Sequence, residues 1–139
     1  RWLPEACDVV LVHDAARAFA PSEVFERVAA AVTEAVPAVV PVLPVVDTVK
    51  VVDAEGFVVS TPDRAALRVV QTPQGFRRDV LLAAHAAHGS LATDDAGLVE
   101  LLGLRVGTVP GDPVAFKVTT PEDLAHAERL AERLVDHRG

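Results

Sequence analysis

Apolar runs alternate with short polar islands along the chain, and their spacing predicts the elements. Asp8-Val9-Val10-Leu11-Val12 has the continuous Val/Leu character of a central strand in a parallel sheet, covered on both faces. Pro21-Ser22-Glu23 opens a helix that the pattern carries through Val36. Val24, Val28 and Val32 form its apolar face, and Glu23 suits the positive N-terminal end. Ala38 to Leu43 predicts a second buried strand. Thr48 to Asp53, the turn Ala54-Glu55-Gly56, and Phe57 to Ser60 predict a hairpin. Few of its residues suit a core, so it is expected to project as an arm over about residues 47–66. Leu67 to Gln71 is expected to return to the sheet.

Further along, Arg78 to His88 predicts a helix, and Asp94 to Leu102 a shorter one, capped by Thr93 and ended by Gly103. Arg105 to Val109 predicts a strand and Phe116-Lys117-Val118 a short one. The last helix has the strongest start signal: Thr120 as N-cap, Pro121 at the first helical position, and Glu122 and Asp123 in the first turn. Leu124, Ala127, Leu130 and Leu134 follow at helical spacing. Strands alternating with helices predict one α/β domain with a mostly parallel, Rossmann-like sheet and a hairpin excursion.

Composition narrows the function classes. The formal net charge is −7, and Lys50 and Lys117 are the two lysines, which argues against a nucleic-acid surface. Pro37, Pro41 and Pro44 interrupt the most apolar stretch, so no run is long enough to span a bilayer. A single cysteine, Cys7, rules out an internal disulfide and fits a reducing, cytoplasmic setting. The sequence has no methionine and begins Arg1-Trp2, from which a domain incomplete at its N-terminus is expected.

Candidate chemistry lies in the islands that follow strands, since ligands of α/β sheets bind beyond the strands' carboxyl ends. The first is His13-Asp14-Ala15-Ala16-Arg17. Asp14 and Arg17 either bind a ligand or pair with each other across the turn; His13 reads as a packed, hydrogen-bonded residue. Lys117, beside the N-terminus of the last helix, is expected to form an anion site with free backbone amides. Read alone, Asp63-Arg64 is an exposed turn pair and Thr72 a loop hydroxyl. The five histidines lack zinc-ligand spacing, and no Gly-rich phosphate loop or dinucleotide fingerprint is present.

Six segments in register resemble the 2-C-methyl-D-erythritol 4-phosphate cytidylyltransferase family. They are Val12-His13-Asp14-Ala15-Ala16-Arg17, Asp47-Thr48-Val49-Lys50, Asp63-Arg64 with Leu67, Gln71-Thr72-Pro73-Gln74-Gly75-Phe76, Thr93-Asp94-Asp95-Ala96, and Phe116-Lys117-Val118-Thr119 with Pro121-Glu122-Asp123-Leu124. The resemblance implies transfer of CMP from CTP to a polyol phosphate, with Mg²⁺ carried mainly by the CTP phosphates and no metal ligands of the chain's own. It implies that Asp14, Ala15 and Arg17 face the nucleotide, and that Lys117, with Asp14 and Arg17, serves the transfer. Thr72, Thr93 and Lys117 would contact the polyol phosphate. Thr48 and Arg64 would reach from the arm into a second subunit, making a homodimer. The family's N-terminal Gly-rich loop has no counterpart here, so the chain is expected to be a C-terminal portion that is inactive alone. The alternatives are a ribitol-5-phosphate cytidylyltransferase and a non-catalytic dimerisation remnant.

Overall fold

The computed structural model describes residues 3–4, 6–89 and 91–136. Within them the order is β1 (Val9–Val12), α1 (Ser22–Ala31), β2 (Ala38–Pro44), β3 (Val51–Val52), β4 (Val58–Ser60), β5 (Arg68–Val70), β6 (Gln74–Arg77), α2 (Arg78–His88), α3 (Asp95–Leu101), β7 (Val106–Pro110) and α4 (Pro121–Asp136). Short 3₁₀ turns lie at Arg64–Ala66 and Pro113–Ala115.

The α/β class is as expected, but the sheet departs from the mostly parallel expectation. Strand β2 sits at its centre, parallel to β7 and antiparallel to both β6 and β5. Strand β1 pairs antiparallel with β6, so β1, β2 and β7 all point one way while β6 runs backwards between β1 and β2. Among the described residues β1 is therefore an edge strand rather than the central one. The strand that separates it from β2, Gln74-Gly75-Phe76-Arg77, has too little apolar character to be recognised from its pattern. Gly75 explains how it fits: a Cβ there would stand 2.6 Å from Val28 Cγ1 and 3.0 Å from Val32 Cγ2, so only a bare backbone lets α1 lie this close.

Period-2 alternation assigns the two faces. Val9, Leu11 and Val39 turn towards α1 and its Val24, Val28 and Val32. Val10, Val12, Ala38, Val40 and Phe76 turn towards α2 and α3, packing with Leu81, Ala84, Ala96, Leu98 and Val99. Helix α1 stops at Ala31 rather than Val36. Thr33 and Val36 bond each other in a turn, and Pro37 could not continue the helix.

Four further local expectations meet the structure. The hairpin forms where its turn signals place it, with Gly56 at φ +90°, and β3 and β4 pair as a separate small sheet. Asp94, not Thr93, caps α3, its carboxylate accepting from the Gly97 amide. Phe116-Lys117-Val118 is not a strand; it is extended chain after the Pro113–Ala115 turn, tied down by one backbone bond from Val118 to Ala16. Helix α4 starts as expected.

Candidate functional site

Beyond the carboxyl end of β1 the chain turns tightly through residues 13–17. The Arg17 amide donates to the Asp14 carbonyl at 2.9 Å, and the Ala16 amide to Asp14 Oδ1 at 3.2 Å. Two distant segments close on this turn. From the β5–β6 connection, Thr72 Oγ1 accepts from the Asp14 amide at 3.0 Å and lies 3.1 Å from His13 Nδ1. From the segment before α4, the Val118 amide donates to the Ala16 carbonyl at 2.8 Å, and Lys117 Nζ stands 2.7 Å from Asp14 Oδ2. One tautomer satisfies the network: His13 accepts at Nδ1 from the Thr72 hydroxyl and donates from Nε2 towards the Arg17 carbonyl, 3.3 Å away.

The electrostatics follow from this geometry. The Lys117 ammonium holds the Asp14 carboxyl below the usual aspartate range, with the Ala16 amide assisting and partial burial opposing. Asp14 is therefore a carboxylate at neutral pH, suited to orient a cation and not to donate a proton. Arg17 turns away from Asp14 and donates from Nη1 to the Ala115 carbonyl at 2.8 Å. Burial lowers its pKa, and its buried Nε finds no hydrogen-bond partner. The Asp14–Arg17 pairing left open by the sequence is not formed.

Asp14, Thr72 and Lys117 thus converge, with Ala15 exposed on the turn and the Arg17 guanidinium held beside them on the Ala115 carbonyl. The amides expected to join Lys117 in an anion site at the α4 N-terminus are not free. The Thr119 and Thr120 amides both donate to Asp123 Oδ2, at 3.0 and 2.9 Å, and Thr120 Oγ1 accepts from the Asp123 amide in return. This reciprocal cap occupies the amides that an anion would need, so Lys117 acts over the Asp14 turn instead. Thr93 is exposed and makes no bond to the cluster. Its neighbour Asp94 accepts from Gln74 Nε2 at 2.8 Å, which brings the start of α3 to the end of the sheet where the Asp14 turn lies. Thr48 and Arg64 lie out on the hairpin; Arg64 bonds the Val46 carbonyl, and neither residue meets the cluster of its own chain.

Sequence reasoning missed Gln71 and Gln74, which are 2% and 4% exposed and bridge the loops around the cluster. The available signal was two amides flanking Thr72-Pro73 in an apolar setting. A separate cleft of about 470 Å³, with Cys7, Glu34, Arg77 and Arg78 among its lining, opens at the far end of β1, away from this chemistry. Among the described residues no group of three His, Cys, Asp or Glu is placed to hold a metal ion, and no helix is long and apolar enough to cross a membrane.

The geometry has close counterparts. Residues 2–133 match the family model described as 2-C-methyl-D-erythritol 4-phosphate cytidylyltransferase. A curated protein of that name from Saccharopolyspora erythraea is 62% identical over 94% of this chain and 58% of its own length. One from Frankia casuarinae is 59% identical over 96% of this chain and 50% of its own length. The crystal structure of the Thermus thermophilus enzyme of that name superposes with a TM-score of 0.80 at 45% identity, covering 91% of this chain and 63% of that one. The 4-diphosphocytidyl-2C-methyl-D-erythritol synthase of Anaerococcus prevotii superposes at 0.84 with 32% identity, covering 94% of this chain and 62% of that one. The chain thus spans between half and three-fifths of the length of these curated relatives. With the family model covering nearly its whole length, the chain belongs to the 2-C-methyl-D-erythritol 4-phosphate cytidylyltransferase family.

Proposed function

We propose that this chain forms the acceptor-substrate half of an enzyme that transfers CMP from CTP to 2-C-methyl-D-erythritol 4-phosphate. A phosphate oxygen of the acceptor attacks the α-phosphorus of CTP in line, and pyrophosphate leaves with the electron pair of the broken bond. Such a reaction asks the protein for position and charge neutralisation, not for a covalent nucleophile. The observation that carries the reading is the 2.7 Å contact that aims the Lys117 ammonium at the Asp14 turn beside the Thr72 hydroxyl. A cation and a phosphate oxygen 4 Å apart at an effective dielectric of 20 attract by about 4 kcal/mol before desolvation.

In this reading Lys117 neutralises the acceptor phosphate, and Asp14 keeps the ammonium in place while it is free of substrate. Arg17 and Ala15 face the nucleotide, and Thr72 and Thr93 offer hydroxyls to the polyol. Thr48 and Arg64 serve the site of a second copy, so the working form is a homodimer joined through the arm. The 44–67% exposure of Val51, Val52, Phe57, Val58 and Val59 supports this, because such an apolar patch on a small hairpin favours association. Mg²⁺ would arrive on the CTP phosphates, and no step above depends on it. The setting is cytoplasmic biosynthesis of isoprenoid precursors. Ribitol 5-phosphate is the rival acceptor, and family membership favours methylerythritol phosphate.

Pyrophosphate release from CTP tests the reading. A protein containing this sequence together with the family's Gly-rich N-terminal region should turn over 2-C-methyl-D-erythritol 4-phosphate, and lose turnover with Lys117→Met. The 139-residue chain alone should be inactive. Preference for ribitol 5-phosphate, or full activity of Lys117→Met, would overturn it.

A further inference from the structure

Two side chains that the transfer chemistry leaves unused stand on either side of Thr72-Pro73. Gln71 and Gln74 are the buried polar residues of the described core, and each is bonded through both its amide nitrogen and its amide oxygen to a different loop. Gln71 Nε2 donates to the carbonyls of Asp112 (2.9 Å) and Ala115 (3.3 Å), while its Oε1 accepts from the Asp112 amide at 3.0 Å. Those residues begin and end the turn that leads into Lys117, and the Ala115 carbonyl also accepts from Arg17. Gln74 Nε2 donates to Asp94 Oδ2 at 2.8 Å, and its Oε1 accepts from the Ala96 amide at 3.2 Å. Asp94 in turn caps α3 directly after Thr93.

A buried carboxamide bonded at both its nitrogen and its oxygen fixes the relative position of whatever it bridges, because breaking one bond strands a polar group away from water. Gly111 fits the same design. A Cβ there would run into Gln71 Oε1 and stand 3.2 Å from the Val42 carbonyl, so the close approach of the 111–115 segment depends on a bare backbone. Strand β6 supplies the rigid base, since Gln74 is in register with Val12 at the end of β1, one residue before His13.

We propose that Gln71 and Gln74 are positioning residues that hold the Lys117 segment and the Thr93 segment, respectively, at fixed places around Thr72 and Asp14. The functional meaning of that frame rests on the transferase reading above: the two loops it sets would carry the phosphate-binding cation and a polyol-binding hydroxyl. Neither glutamine touches substrate.

The test is NMR of the isotopically labelled chain without any ligand, reading two local signatures. One is the carboxyl titration midpoint of Asp14, which reports the Lys117 ammonium. The other is hydrogen exchange of the Ala96 amide, which reports the Gln74 bond. Gln71→Met should raise the Asp14 midpoint towards the ordinary aspartate value and leave Ala96 protection in place. Gln74→Met should speed Ala96 exchange by about fivefold, the factor implied by one hydrogen bond of ordinary net strength, and leave the Asp14 midpoint in place. Should Gln71→Met fail to fold, Gly111→Ala displaces the same carboxamide and should raise the midpoint. Should Gln74→Met fail, Gln74→Glu sets a second carboxylate against Asp94; Ala96 protection should then be lost at neutral pH and regained on acidification.

A uniform loss of protection with no separation of the two signatures would overturn the proposal and leave ordinary core residues. Failure of the protein that also carries the Gly-rich N-terminal region to turn over a polyol phosphate would count against the transferase reading alone, since both signatures are read without substrate.

Discussion

Replacing Lys117 by methionine removes a charge and keeps most of the stem, which isolates what the Asp14–Lys117 contact contributes to stability. The Lys117 side chain is 49% exposed and that of Asp14 28%, so solvent screens the pair even at 2.7 Å. Exposed pairs measure about 0.2–1 kcal/mol, and the partial burial of Asp14 places this one near the top, at about 1 kcal/mol. For a domain of this size that is a fall in melting temperature of roughly 3–5 °C. The loss should depend on pH in one direction. The folded Asp14 has a lowered pKa, so its contribution is complete above the ordinary aspartate value and disappears as pH falls through the depressed folded value. Urea denaturation of wild type and Lys117→Met should therefore differ at about pH 7 and converge on acidification. A deficit of about 3 kcal/mol or more that persists into acid would refute the reasoning, because it would mean a packed stem or a truly buried ion pair.

Three other outcomes follow from the same geometry. Thr72→Val removes the acceptor of the Asp14 amide and the partner of His13; urea denaturation should show a loss of about 1–2 kcal/mol, and the Asp14 amide should exchange faster. Gly75→Ala drives a methyl into Val28 and Val32, and should cost about 1–3 kcal/mol by the same measurement. Phe57→Asp on the exposed arm should shift sedimentation towards the monomer without changing the far-ultraviolet circular dichroism; an unchanged sedimentation profile would count against the arm as the dimer contact.

Much of this protein was written in one dimension. Hydrophobic period placed α1, β2, α2 and α4, since a face of valines at four-residue spacing or an unbroken apolar run has few other ways to be buried. Turn chemistry placed the hairpin, and Thr120 with Asp123 placed the start of the last helix, because capping is satisfied by neighbours in the chain. Asp14, Arg17, Thr72 and Lys117 were legible as polar islands and as a resemblance. Their arrangement was not. That Lys117 pairs with Asp14 from the opposite end of the chain, and that Arg17 faces the Ala115 carbonyl, depend on which loops the sheet brings side by side. Strand direction is equally non-local: β6 carries too few apolar residues to announce itself, yet it runs backwards between β1 and β2, with a glycine where α1 packs closest. The amides of Gln71 and Gln74 read as ordinary polar residues until burial shows that each must be satisfied by a distant loop. Local rules choose the elements because their hydrogen bonds close within a few residues, whereas the site is set by bonds between segments that only the packed sheet can bring together.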